Sequence, residues 1–472
     1  MLKEFATKNY KSFLWILFLA FLSVGARNFE EGLSLDAPLY ATISREISQT
    51  GELFKLDSRL TEFQPYYADH PHLAFWIQAL VFKVFGAADW SARISGHLFY
   101  VATLFLLFSW ITLLSSEAIA TFTIIILWVL APFANFYSSF YLDPACFFFL
   151  CFFLYSLWQS TQKNAKKYWA PLSGISLGLA FMAKGLSILG FGPAAFVVLL
   201  SHKKPKKFFI TAIVSLIFFA FTIGLYWLSI HLSNAPDFLE LYWYRQMTNR
   251  FSGSMKWIRL LDTRFWWALI KDSYFLFPLI IFSLSRSNLK NKAIPLCWTL
   301  ILTYILMYAP AERIGAQYWI YIFPWMAWLI SIFVNSKIRI NVIACQKYTA
   351  FFSILILFFL QYGKISTHRN SKPLESEMIS KWSHDFGSST LYLAQKPFAV
   401  DFMNAAPLSW YSNVDVEFVG EEIPTPTRNK SLLLARNLEG SVNYDWINQF
   451  KKLGWCQVQS TSNAVLFVSH CL

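Results

Sequence analysis

The chain has 472 residues and a formal net charge of +13, with 56% hydrophobic, 19% aromatic and only 14% charged residues. Soluble domains carry about 25% charged residues, so the composition excludes an ordinary soluble enzyme. Repeated apolar runs long enough to cross a bilayer point instead to a polytopic α-helical membrane protein. The positive balance is no sign of nucleic acid, because the lysines fall in short clusters between apolar runs: Lys163, Lys166 and Lys167, then Lys203, Lys204, Lys206 and Lys207. That is the pattern of cytoplasmic loops.

The chain begins MLKEFATKNYK and continues FLWILFLAFLSVGA. Val24-Gly25-Ala26 offers a small-residue cleavage site. A retained first helix with Lys3, Lys8 and Lys11 in the cytoplasm suits the later spans better. About eleven spans are expected, near 12–27, 92–114, 118–135, 144–161, 169–182, 186–201, 208–231, 272–285, 293–309, 318–334 and 348–362. The stretch 169–201 reads as two broken helices joined by Ala183-Lys184-Gly185. Parity then places 161–168, 202–207, 286–292 and 335–347 in the cytoplasm, and each carries a Lys/Arg cluster.

The same parity puts 28–91, 135–143, 183–185, 232–271, 309–317 and the tail from 363 outside, with 71–86 an amphipathic helix in the interface. These loops hold Asp36, Asp69, Asp143, Lys184, Arg245, Arg250, Arg264 and Arg313. Ionisable groups beside hydrocarbon are costly, and so are functional candidates. Their gathering on one side implies chemistry on a lipid-bound substrate. The expected organisation is a membrane domain over 1–362, with the loop 28–91, followed by a polar domain over 363–472. In that tail SSTLYLAQ, VDVEFVG, SLLLAR and AVLFVSH read as strands and VNYDWINQFKKLG as a helix, making a small α/β domain. Cys456 and Cys471 lie in it, and an oxidising compartment would let them pair.

The candidates carry plain alternatives. Asp36 opens a helical pattern with Pro38 in its first turn, so it is either a cap or a general base at a pocket mouth. Asp143 precedes Pro144 at the start of a span, with the same two readings. Tyr66-Tyr67-Ala68-Asp69-His70-Pro71-His72 could hold a divalent ion, or Asp69 and His70 could orient a sugar or phosphate; His72 reads equally as a surface group. Lys184 interrupts an apolar segment and must snorkel or find an anion, for which a lipid phosphate is the natural partner. Arg245, Arg250 and Arg264 offer planar forks of donors to a departing phosphate, or line an interfacial helix. Arg313 and Tyr318 stand at the start of a late span, where a tyrosine is often a membrane anchor.

Several motifs then fall in a recognisable order: LDAPLYATISREISQTGELF, YYADHPHLAFWIQALVFKVFGAADWSARISG, FYLDPACFFFLCFFLYSL, GISLGLAFMAKGLSILGFGPAAF, FLELYWYRQMTNRFSG and AERIGAQYWIYIFPW. Together, over roughly 10–335, the chain resembles the ArnT-like branch of the GT-C glycosyltransferases, close to the protein mannosyltransferase and Rgt-type galacturonosyltransferase groups. It departs from the family pattern at His72, in place of a second proline, and at Ala37, in place of a frequent second acid. The resemblance implies a bacterial inner-membrane enzyme with a cytoplasmic N-terminus and a periplasmic C-terminal domain. Such an enzyme moves a sugar, with inversion, from a polyprenyl-phosphate donor to a periplasmic acceptor such as lipid A, another lipid, a glycan or a protein. Asp36 and Asp143 would be the catalytic acids. Asp69, His70, Lys184, Arg245, Arg250, Arg264, Arg313 and Tyr318 would bind substrate. No cofactor is required, although a divalent metal would be compatible. The rival class is a lipid or solute transporter, which would show two similar halves and midplane charges; neither pattern is present.

Overall fold

The computed structural model describes residues 10–25, 32–33, 35–60, 66–202, 205–233, 235, 237–245, 266–267, 270–271, 276, 293–308, 316–338, 340–363, 375–386, 390–396, 402–419, 432–437, 444–461 and 464–469. Two compact units result. The first comprises Met1–Phe29, Ala68–Ala74 and Arg93–Ile365, and the second Glu30–Tyr67, Phe75–Ala92 and Ser366–Leu472. Packing therefore divides the chain differently from the expected boundary at 362/363, since most of the first long loop belongs with the C-terminal domain.

In chain order the helices are α1 Tyr10–Ser23, α2 Ala37–Thr50, α3 Leu73–Phe85, the single turn α4 Asp89–Ala92, α5 Ile94–Leu114, α6 Glu117–Val129, α7 Ala131–Tyr137, α8 Asp143–Ser160 and α9 Trp169–Lys184. A 3-10 segment, Gly185–Phe191, leads into α10 Gly192–Leu199, then α11 Pro205–His231, α12 Phe238–Trp243 and α13 Ala293–Tyr308. A second 3-10 segment, Ala316–Tyr321, precedes α14 Phe323–Lys337 and α15 Val342–Gly363. Every expected span falls on a helix except 272–285, which lies almost wholly outside the described residues. Among the described residues, the helical runs long and apolar enough to cross a membrane are Asp89–Leu114, Trp169–Leu199, Pro205–His231 and Trp319–Lys337. The first helix packs into the bundle, where Trp15 Nε1 donates to Thr349 Oγ1 at 3.1 Å.

The run Trp169–Leu199 is not one straight crossing. Ser173 is hydrogen-bonded to Ser215, Gly174 lies against Phe218 and Phe219, and Gly178 against Thr222. Numbers rise together on both helices, so α9 and α11 run parallel. Glycine is needed at Gly174 and Gly178 because a Cβ would collide with the neighbouring helix. Two parallel helices need a return between them, and the bend comes at Gly185, with φ of 72°. The 3-10 segment and α10 then rise about 26 Å, at 2.0 and 1.5 Å per residue, close to the ~30 Å of a hydrocarbon core. This is the pair of broken helices expected from Ala183-Lys184-Gly185.

The bundle interior is aromatic. Trp110 meets Trp325 and Trp328 edge-on at 6.0 and 6.1 Å, and Tyr304 stacks on Tyr321 at 5.0 Å. Such pairs add specific geometry to apolar burial.

In the second unit, strands β1 Thr390–Lys396, β2 Asp415–Val419, β3 Leu432–Asn437, β4 Cys456–Ser460 and β5 Ala464–Val468 form one sheet in the order β2-β1-β3-β5-β4. The β2, β1 and β3 strands are parallel, while β5 and β4 add antiparallel. Helices α16 Glu375–Phe386, α17 Phe402–Ser412 and α18 Tyr444–Lys452 complete the α/β domain. Leu433, Ala435, Phe450, Trp455 and Phe467 form its core. Cys456 is disulfide-bonded, whereas Cys146, Cys151, Cys297 and Cys345 are free; Cys471 lies outside the described residues.

Candidate functional site

Helices α8 and α9 form an antiparallel hairpin about the loop 161–168. At its closed end Tyr155 meets Trp169 at 5.8 Å. At its open end, Asp143 on the first turn of α8 and Lys184 on the last turn of α9 form an ion pair. They are 4% and 8% exposed. The lysine expected to seek a lipid phosphate thus already holds a carboxylate, and Asp143 is a counter-charge rather than a side-chain cap. A buried ammonium needs such a partner to stay charged.

A second cluster lies at the same end of the bundle. His72 is fully buried, contrary to the reading as a surface group, because α11 and α12 close over it. Its Nδ1 is 2.6 Å from Tyr226 Oη of α11, and its ring lies 4.3 Å from that of Phe238 on α12. Phe238 stacks on Tyr242 at 5.8 Å, and Tyr242 Oη rests against Gly185, beside Lys184. Arg245, just after α12, donates from Nη1 to Asp69 Oδ1 at 3.5 Å. Asp69, His72, Asp143, Lys184 and Arg245 are thus gathered at one bundle end through α12. Tyr226 and Tyr242 were not singled out from sequence, and each reads there as one more aromatic near an apolar span. Next to these groups is a cavity of about 1100 Å³, lined largely by apolar and aromatic side chains including Phe181, Leu186, Phe219, Ile223 and Trp227.

His70, half-buried, sits between Asp69 and Pro71. Among the described residues, no group of three or more His, Cys, Asp or Glu could hold a metal ion. His72 Nδ1 is engaged with Tyr226. Asp36 belongs to the second unit and occupies the N-cap position of α2. Its backbone carbonyl accepts from Tyr40 N at 3.1 Å, yet its side chain makes no capping hydrogen bond. The plain reading of Asp36 as a helix cap therefore fails. Arg250, Arg264 and Arg313, and the side chain of Tyr318, lie outside the described residues.

The geometry defines a helical membrane protein with a buried charged cluster over an apolar cavity. Residues 69–227 match the family model described as dolichyl-phosphate-mannose-protein mannosyltransferase. ArnT from Cupriavidus metallidurans bound to undecaprenyl phosphate superposes with a TM-score of 0.69 at 12% identity, over 98% of both chains. Its apo state gives 0.70 at 13% identity, again over 98% of both. The Archaeoglobus fulgidus oligosaccharyltransferase in its apo form gives 0.52 at 10% identity, over 87% of this chain and 65% of that one. No curated protein matches in sequence. At such identities the structural likeness shows the fold alone, which is that of the ArnT structures. The family model spans residues 69–227 of the chain, and the solved structures show its fold.

Proposed function

We propose that the protein transfers a sugar from a polyprenyl-phosphate donor to an acceptor outside the cytoplasm, lipid A or another glycoconjugate, with inversion at the sugar. The observation that carries this reading is the buried cation Lys184, held by Asp143 at the end of an apolar bundle beside a cavity fit for an isoprenoid chain. Departure of a lipid phosphate concentrates negative charge on its oxygens. A pre-placed ammonium, with Arg245 and the arginines that follow it, stabilises that charge as it forms. Asp36, at the N-cap position of α2, accepts the proton of a hydroxyl acceptor, or positions the acceptor where that is itself a phosphate. Asp69 and His70 orient sugar or phosphate. Two neighbours support the choice of donor: one ArnT structure contains undecaprenyl phosphate, and one archaeal oligosaccharyltransferase structure contains dolichol phosphate with an inhibitory peptide. Lysine clusters in the expected cytoplasmic loops support a reaction on the periplasmic side of a bacterial inner membrane.

Mass spectrometry of lipid A and membrane glycoconjugates, with and without the gene, tests the proposal. One sugar mass disappears with the gene, and Asp36→Asn abolishes it while the protein still inserts and folds. Unchanged masses would favour a transporter instead.

A further inference from the structure

Asp36 begins α2, and within the second unit that helix is fastened at three successive levels. The approach comes first. Gly32 N donates to Asp89 Oδ2 at 2.8 Å, and Leu33 N to Tyr411 Oη at 2.7 Å. Asp89 also accepts from Trp410 Nε1 at 3.0 Å and from Tyr411 Oη at 3.3 Å, so one carboxylate ties the approach to α17. One residue before Asp36, Leu35 has φ of 52°, a left-handed conformation that non-glycine residues seldom adopt unless their surroundings impose it. Next, Ala37 and Ala41 pack with Leu33, Phe82 and Trp410 in a buried apolar cluster. One turn further, Arg45 is 6% exposed and donates from Nη1 to Trp410 O at 2.8 Å and from Nη2 to Ser409 O at 3.3 Å. Its guanidinium lies 5.2 Å from the Trp410 ring centre. Burial pushes this guanidinium down to about 10, still protonated at neutral pH. The chain beyond α2 is pinned as well, since Leu60 bridges to Val416 at the edge of the sheet.

Here an arginine and a tryptophan are buried, beside a strained backbone at Leu35, to fix one helix end. We infer that the C-terminal domain is a positioning element of the transferase: Trp410 and Tyr411, acting through Arg45 and Asp89, set the place and angle at which α2 presents Asp36. These are positioning residues, since they reach the chemistry only through Asp36, and the inference rests on the proposed role of that acid. A displacement of about 1 Å costs a reacting group on the order of 100-fold in rate.

The test uses the full-length chain, with Arg45→Ala and the milder Tyr411→Phe. Expected are faster amide exchange over 37–50, at least tenfold less of the gene-dependent glycoconjugate mass per unit time, and undecaprenyl phosphate affinity within twofold of the parent. Leu60→Cys with Val416→Cys, oxidised in the Arg45→Ala background, restores the rate, and reduction removes it again. Unchanged exchange over 37–50, or faster exchange with an unchanged rate, overturns the inference. Parallel loss of undecaprenyl phosphate binding also overturns it, because the contacts would then serve general structure. Asp36→Asn at full rate sinks the acid and the positioning role together, while the exchange data separately report whether the docking is real.

Discussion

Removing one member of the Asp143–Lys184 pair differs in kind from removing both. Both side chains are buried and ion-paired, at 4% and 8% exposure. Asp143→Ala strands an ammonium among the aromatic residues of the bundle, and breaking a buried pair from one side costs about 3–5 kcal/mol. Asp143→Ala with Lys184→Met removes both charges, and an apolar replacement of a buried pair is commonly neutral or stabilising by about 1–4 kcal/mol. With each single variant costing at least about 3 kcal/mol and the double variant near zero, the cycle closes with a coupling of about 6 kcal/mol or more. Unfolding in mixed micelles, followed by near-ultraviolet circular dichroism, measures that coupling, and glycoconjugate mass measures transfer. The expected double variant is as stable as the parent and inactive. A coupling below about 0.5 kcal/mol would mean that the two groups do not act as a pair. A double variant that still transfers sugar would remove Lys184 from the chemistry.

The Asp69–Arg245 pair is partly exposed, at 31% and 24%, and the groups are 3.5 Å apart. Arg245→Ala should therefore cost less than about 1 kcal/mol of stability yet weaken undecaprenyl phosphate binding, as read by titration of the purified protein. Gly185→Ala introduces a Cβ against Tyr242 Oη at a φ of 72°, so it should displace α12 and lower transfer. Adding Tyr242→Phe removes the colliding oxygen and should recover part of the loss, though not the backbone cost of about 1 kcal/mol; no recovery would refute the contact. Tyr226→Phe deletes the partner at 2.6 Å from His72 Nδ1 and should lower stability by about 1–2 kcal/mol in the same micelle assay.

Much of the bundle was legible because spans announce themselves by apolar length, and because Lys184-Gly185 stands out as a polar break in 169–201. Strands β1, β2, β3 and β5 were legible for a similar reason, being short apolar or alternating runs bounded by polar turns. β4 was not, because CQVQS is a polar edge strand paired on one side only. α17 was also missed: it carries Pro407 inside the helix, which reads as a breaker. Asp143 and Lys184 were each singled out, but for separate partners, a substrate and a phosphate. A signal for their pairing was nonetheless present. In an antiparallel hairpin, residues equidistant from the turn are neighbours at the open end, and the loop 161–168 lies midway between them. The attachment of α2 to α17 had no such signal. Arg45 and Trp410 are 365 positions apart, and nothing local in either segment says that one will cap the other.

A buried ion pair is a poor device for stabilising a membrane bundle, since apolar side chains of the same volume would serve as well or better. Its presence at the mouth of the α8–α9 hairpin is therefore better explained by what the lysine must do than by what it holds together. An ammonium kept charged in apolar surroundings needs a counter-ion, and Asp143 supplies one from the neighbouring helix without a mobile ion from solvent. The turn at Gly185 ends α9 immediately after Lys184, which keeps the charge at the rim of the bundle beside the cavity. Tyr242 closes over that turn, and with Phe238 it links the lysine to the buried His72. On the proposed mechanism the cation is set in place before any phosphate arrives, and a charge placed in advance needs no reorganisation when the leaving group departs.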